Sequence, residues 1–131
     1  MWQRIQTIFL LIAAAAAIAF IFLPLAEFEG NLFYAKNDII SSAIAVAIAL
    51  LNFFIISQYK DRKLQLRFCA IVLVLSIALM GASILAATKY SEYVRFEFAA
   101  GIPVLIIIAV FMARRNIKKD DDLVKSMDRF R

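Results

Sequence analysis

Between Arg4 and Glu27 lie 22 consecutive residues without a formal charge, and such gaps recur at 39–59, 68–88 and 98–113, with 21, 21 and 16 residues. A helix rising about 1.5 Å per residue needs roughly 20 residues to cross about 30 Å of hydrocarbon. The first three runs meet that length unaided. The fourth meets it only with its flanks, so its span is drawn at 96–113, with Tyr93 and Phe96 at one interface and Arg114 and Arg115 snorkelling back at the other. The chain is 64% hydrophobic with a mean hydropathy of +0.84. A soluble domain is nearer half apolar, and so short a chain has little interior in which to hide the excess. The expected fold is all-α: one membrane domain, an antiparallel bundle of four transmembrane helices at about 5–26, 39–59, 68–88 and 96–113. A cytoplasmic tail, 114–131, follows and forms a short amphipathic helix. The first run exceeds the apolar core of a secretory signal, so it is expected to stay as a helix.

Basic residues set the expected orientation. Arg4, the loop residues Lys60, Arg62, Lys63 and Arg67, and seven Lys and Arg in the tail fall on one side, twelve in all. Lys36, Lys89 and Arg95 make three on the other. Lys and Arg mark the cytoplasmic face, so both termini are expected there. In a chain this apolar, the net charge of +5 serves topology rather than nucleic-acid binding.

Local punctuation agrees with four helices. Pro24 closes the first, and Asn37 or Asp38 can cap the second by accepting orphan backbone N–H bonds. Asp61 sits in a short turn that makes helices two and three a hairpin. Gly101 and Pro103 fall in the first turns of helix four, where an early N–H has no partner to lose. The outer loop Glu27–Asp38 carries Phe28, Phe33 and Tyr34 and is read as an aromatic interface belt with a turn at Gly30-Asn31.

Small residues recur four apart: Ser41, Ala45 and Ala49; Ala43 and Ala47; Ala78, Ala82 and Ala86 beside Gly81; and the run Ala13–Ala17. Such stripes let helices approach closely in lipid, and bundle packing is the preferred reading over a dedicated oligomer interface. Asn52 is the most polar residue within a span; Ser76 or a backbone carbonyl is its expected partner, in an interhelical bond rather than a substrate site.

The absences narrow function. None of the four uncharged cores carries an ionisable Asp, Glu, Lys, Arg or His, the usual mark of an ion-coupled or proton-relaying transporter. The chain has no His and one Cys, Cys69, so the usual transition-metal ligands and a thiol pair are missing. No nucleophile–base pair stands out. No enzyme activity, cofactor or metal is therefore expected.

The tail is the most patterned segment. Leu123, Met127 and Phe130 fall at i, i+4 and i+7, with Val124 widening the face. Opposite charges recur at helical spacing, Lys118 with Asp122 and Asp121 with Lys125. The segment either continues helix four or bends along the membrane. It lies on anionic lipid or docks a protein partner; Lys118 and Lys119 suit the first, and the aspartates 120–122 oppose it.

Three segments carry a family likeness: Gln3-Arg4-Ile5-Gln6-Thr7-Ile8, Leu23-Pro24-Leu25, and the tail Ile117-Lys118-Lys119-Asp120 with Leu123-Val124-Lys125-Ser126, Asp128-Arg129 and Arg131. With the basic loop from Tyr59 to Arg67, they resemble domain-of-unknown-function family 4293, small four-helix inner-membrane proteins found mainly in Bacteroidota. The likeness runs over essentially the whole chain. It implies an inner-membrane location and four-helix topology, and no activity. The function expected is a non-catalytic accessory or scaffold subunit of a larger membrane assembly, contacting lipid, other subunits or further copies of itself. Its contacts would be Lys60, Arg62, Lys63 and Arg67 in the loop and Lys118, Lys119, Leu123, Val124, Met127 and Phe130 in the tail. The alternative is a small oligomeric transporter or channel.

Overall fold

The computed structural model describes residues 2–28, 31–34, 36, 38–58, 60–89, 95–96 and 101–129. Four helices dominate: α1 (Trp2–Phe22), α2 (Ile39–Ser57), α3 (Arg62–Thr88) and α4 (Ile102–Arg129). Three short strands, β1 (Pro24–Phe28), β2 (Asn31–Tyr34) and β3 (Arg95–Phe96), fall between them. Helices α1, α2 and α3 are each long and apolar enough to cross a membrane, consistent with a membrane protein. In α4 the apolar stretch 102–113 is 12 residues, about 18 Å, before Arg114 begins a charged segment.

Each helix packs on two others. Helix α1 lies against α2 and α4, and α3 lies against α2 and α4, so the four close into a ring. The buried positions explain how. In α3 they are Gln65, Cys69, Val72, Ser76, Leu79, Ser83 and Ala86, spaced alternately four and three apart. The same spacing runs through Gln6, Leu10, Ala13, Ala17 and Phe20 in α1 and through Ser41, Ala45, Ile48, Asn52 and Ile55 in α2. A 3.5-residue repeat keeps one seam of each helix facing its neighbours. Ile102, Ile106, Ala109, Ala113 and Ile117 supply the seam of α4.

The distribution of size is the reverse of a water-soluble core. Many of the buried residues are Ala or Ser, whereas Ile8, Phe22, Leu50, Val74, Ile77, Leu85, Ile108 and Phe111 point outward. In water such a surface would aggregate; in lipid it costs nothing, and small inward residues let backbones close up. The sequence-derived small-residue stripes are corrected in part. Ser41, Ala45 and Ala49 are buried, as are Ala13, Ala14, Ala16 and Ala17. Ala43, Ala78 and Gly81 face out, and a Cβ on Gly81 would meet nothing within 4 Å. A four-residue step drifts around a helix, whereas the 4-3 alternation stays on the seam.

The segment read as an aromatic loop is a small sheet in order β2-β1-β3, with both pairings antiparallel. Phe28 pairs with Asn31 and Pro24 with Tyr34, with an irregularity between Pro24 and Ala26. On the other edge Ala26 faces Phe96 and Glu27 faces Arg95. Backbone polar groups near hydrocarbon must find partners within the protein, and strand pairing supplies them. Helix α1 stops at Phe22, short of the expected residue 26, because Pro24 disfavours helical backbone at the residue before it, and Pro24 opens a strand rather than closing a helix. Tyr34 also holds Lys36, whose Nζ sits 4.8 Å from the ring centre. Gly30, Asn37 and Tyr93, named in the sequence reading, lie outside the described residues.

Two further boundaries differ. Helix α3 begins at Arg62, not 68, so Arg62, Lys63 and Arg67 are helical rather than loop residues. Helix α4 begins at Ile102 and runs 28 residues without a break, so the tail is its extension and not a separate short helix.

Candidate functional site

The sheet joins the end of α1 to the starts of α2 and α4. The charged residues gather at the other end, built around the α2–α3 connector. The start of α2 is capped by Asp38, whose Oδ2 accepts from Ser41 N at 3.0 Å and from Ser41 Oγ at 2.6 Å. Its far end closes with Gln58 N donating to the carbonyls of Phe54 and Ile55. Asp61 N then donates to Gln58 O, and Asp61 Oδ1 accepts from Leu64 N at 3.1 Å, which starts α3. Gln65, buried, donates from Nε2 to Ile55 O at 2.8 Å and sutures the two helices. Phe54 and Phe68 meet edge to face, 5.0 Å between centres.

Helix α4 is tied to this platform. Arg62 Nε donates to Asp120 Oδ2 at 2.9 Å, a pair with 29% and 16% of the two side chains exposed. Ile117 is fully buried, so α4 stays packed well past the end of its apolar run. Beyond Asp120 the ion pair found among the described residues is local. Lys125 pairs with Asp121 at 3.2 Å, one of the two i, i+4 pairs expected. The other is not made: among the described residues no ion pair joins Lys118 to Asp122.

Most expected contact residues are exposed here. Lys60, Lys63, Arg67, Lys118 and Lys119 are open to the surroundings, though Lys60 is itself engaged. Arg62 is the exception, half-buried and committed to Asp120. Leu123 and Met127 are 52% and 69% exposed, and Val124 is half-buried. Phe130 lies outside the described residues.

Inside the bundle, Asn52 and Ser76 do not meet. Asn52 Nδ2 donates to Ile48 O at 2.9 Å and Ser76 Oγ to Val72 O at 2.8 Å, each within its own helix. A side chain four residues after a carbonyl reaches it without crossing a helix interface, so the local bond wins. Asn52 Oδ1 is left buried without a partner, as are Gln6 Nε2 and Arg114 Nε. All three lie in the half of the bundle away from the sheet. Arg114 also lines a half-open hollow of about 310 Å³ with Phe111, Arg115 and Lys118. Gln65 and the long-range Arg62–Asp120 pair were not foreseen; the 4-3 spacing from Gln65 through Cys69 to Val72 is the signal that could have placed Gln65 inside. Among the described residues no cluster of His, Cys, Asp or Glu could hold a metal ion.

No curated protein and no solved structure matches the chain. The family model described as domain of unknown function (DUF4293) matches residues 2–130, and the chain belongs to that family.

Proposed function

We propose that this family member is a non-catalytic accessory or scaffold subunit of a larger bacterial inner-membrane assembly. In this reading four antiparallel helices span the membrane, α4 with help from its flanks, and both termini are cytoplasmic. The observation that carries it is the α4 extension: Leu123 and Met127 stay exposed on a helix whose base is anchored by Arg62–Asp120. A rigid helix presenting i, i+4 apolar anchors is suited to a groove on a partner. The exposed Lys63 and Arg67 on α3 would border the same contact.

The test is gentle detergent extraction of a tagged copy at native expression level, followed by mass spectrometry. A stoichiometric membrane-protein partner is expected with the wild type. It should be lost on replacing both Leu123 and Met127 by Asp, with membrane recovery unchanged. A homo-oligomer without partners that conducts a specific solute across liposomes would sink the scaffold reading and favour a small transporter or channel.

A further inference from the structure

Three cations on α4, Arg114, Arg115 and Lys118, have no carboxylate partner among the described residues. The nearby acids are otherwise placed: Asp120 is taken by Arg62 and Asp121 by Lys125, and Lys118 and Asp122 stay apart. These cations and Phe111 line the hollow of about 310 Å³. Positions 111, 114, 115 and 118 are i, i+3, i+4 and i+7, one helix face. Arg114 Nε is buried and unpartnered at its edge.

The same face continues toward the sheet as an apolar ridge. Val104, Ile108 and Phe111 are all exposed, and Arg115 follows in the same register. From Val104 to Arg115 the helix rises about 16 Å, close to half of a hydrocarbon core about 30 Å thick. An apolar track one leaflet deep that ends in three cations, unpaired among the described residues, has the dimensions of one phospholipid. Free phosphate would match the cations but leave the track unused.

We propose that this face of α4 binds one anionic phospholipid, its phosphate held by Arg114, Arg115 and Lys118 and an acyl chain laid along Phe111, Ile108 and Val104. The site rests on the membrane reading above. Basic pockets beside transmembrane helices attract anionic headgroups, and each cation adds to the attraction. The lipid would neutralise charge where α4 runs out of apolar residues and so help to seat its short apolar run.

Native mass spectrometry and thermal unfolding of the full chain in an uncharged detergent test this, with phosphatidylglycerol, phosphatidylethanolamine or inorganic phosphate added. Phosphatidylglycerol should bind with a stoichiometry of one and raise the unfolding temperature; the other two should do neither. R115Q/K118Q, which alters only exposed side chains, should weaken phosphatidylglycerol binding roughly 25-fold, about a factor of five per charge. K63Q/R67Q should not weaken it. Equal binding of both lipids, or an unchanged affinity in R115Q/K118Q, overturns the site. Phosphate acting as well as the lipid overturns the lipid in favour of a free-anion site. A chain that leaves cell membranes without detergent defeats the membrane reading itself, whereas a membrane-bound chain indifferent to headgroup charge defeats this proposal alone.

Discussion

Helices α3 and α4 have 27 and 28 residues, pack against each other, and differ in almost everything else. In α3 the charges are confined to its first six residues, Arg62 to Arg67, and an uncharged stretch runs from there to Thr88. In α4 the apolar part comes first and ends at Ala113, and the rest is charged. Yet both bury a seam over most of their length, from Gln65 to Ala86 in one and from Ile102 to Ile117 in the other. Length and packing are therefore separate from lipid exposure. Helix α3 presents a continuous apolar outer face beyond Arg67, whereas the outer face of α4 turns from apolar to charged partway while its seam continues.

The comparison can be broken most forcefully at the seams. Ala113 is fully buried on α4, whereas Ala78 faces out from α3. Ala113→Leu should destabilise the bundle by about 2–3 kcal/mol through overpacking, seen as a lower unfolding temperature in detergent. Ala78→Leu should change it by less than about 0.5 kcal/mol. Equal effects would mean that the buried seam is misplaced.

A smaller effect is expected at the connector. Gln65→Leu removes the bond to Ile55 O, an acceptor that keeps its contact with Gln58 N. The expected loss is about 1 kcal/mol. Backbone hydrogen exchange at the start of α3 should quicken alongside it; unchanged exchange would show that the suture does not hold the helices together.

The smallest change belongs to the tie between the two helices. Asp120→Asn removes the Arg62 pair, which is partly exposed, so the loss should stay under about 1 kcal/mol and shrink in high salt. Asp122→Asn, at an exposed residue with no ion pair among the described residues, should be silent. If both cost the same, α4 is not anchored through Asp120.

Much of this was legible one turn at a time. The Asp38 cap and the Asp121–Lys125 pair depend on residues three or four apart, which helix geometry brings together in any context. Lys118 and Asp122 have the same spacing and do not pair; exposed ions four apart gain little from meeting. The sheet is hidden from local pattern because Leu32, Phe33 and Tyr34 suit an interface belt as well as a strand, and β3 joins Ala26 and Glu27 of β1 from about 70 positions away. Asn52 finds a backbone carbonyl, but that of Ile48 one turn back in its own helix, which lies nearer than any acceptor across the helix interface.

By itself the sequence determined where apolar stretches begin and end, and hence three helices long enough to span a membrane, because segment length and hydropathy need no knowledge of neighbours. It also determined the family to which the chain belongs. Only the tertiary structure decided which seam each helix buries, that α1 and α4 close the ring, and that Arg62 reaches Asp120 across 58 positions while Arg114, Arg115 and Lys118 are left without acids among the described residues. These outcomes depend on distances between helices, and side-chain partners far apart in the chain are chosen only when packing brings them within reach.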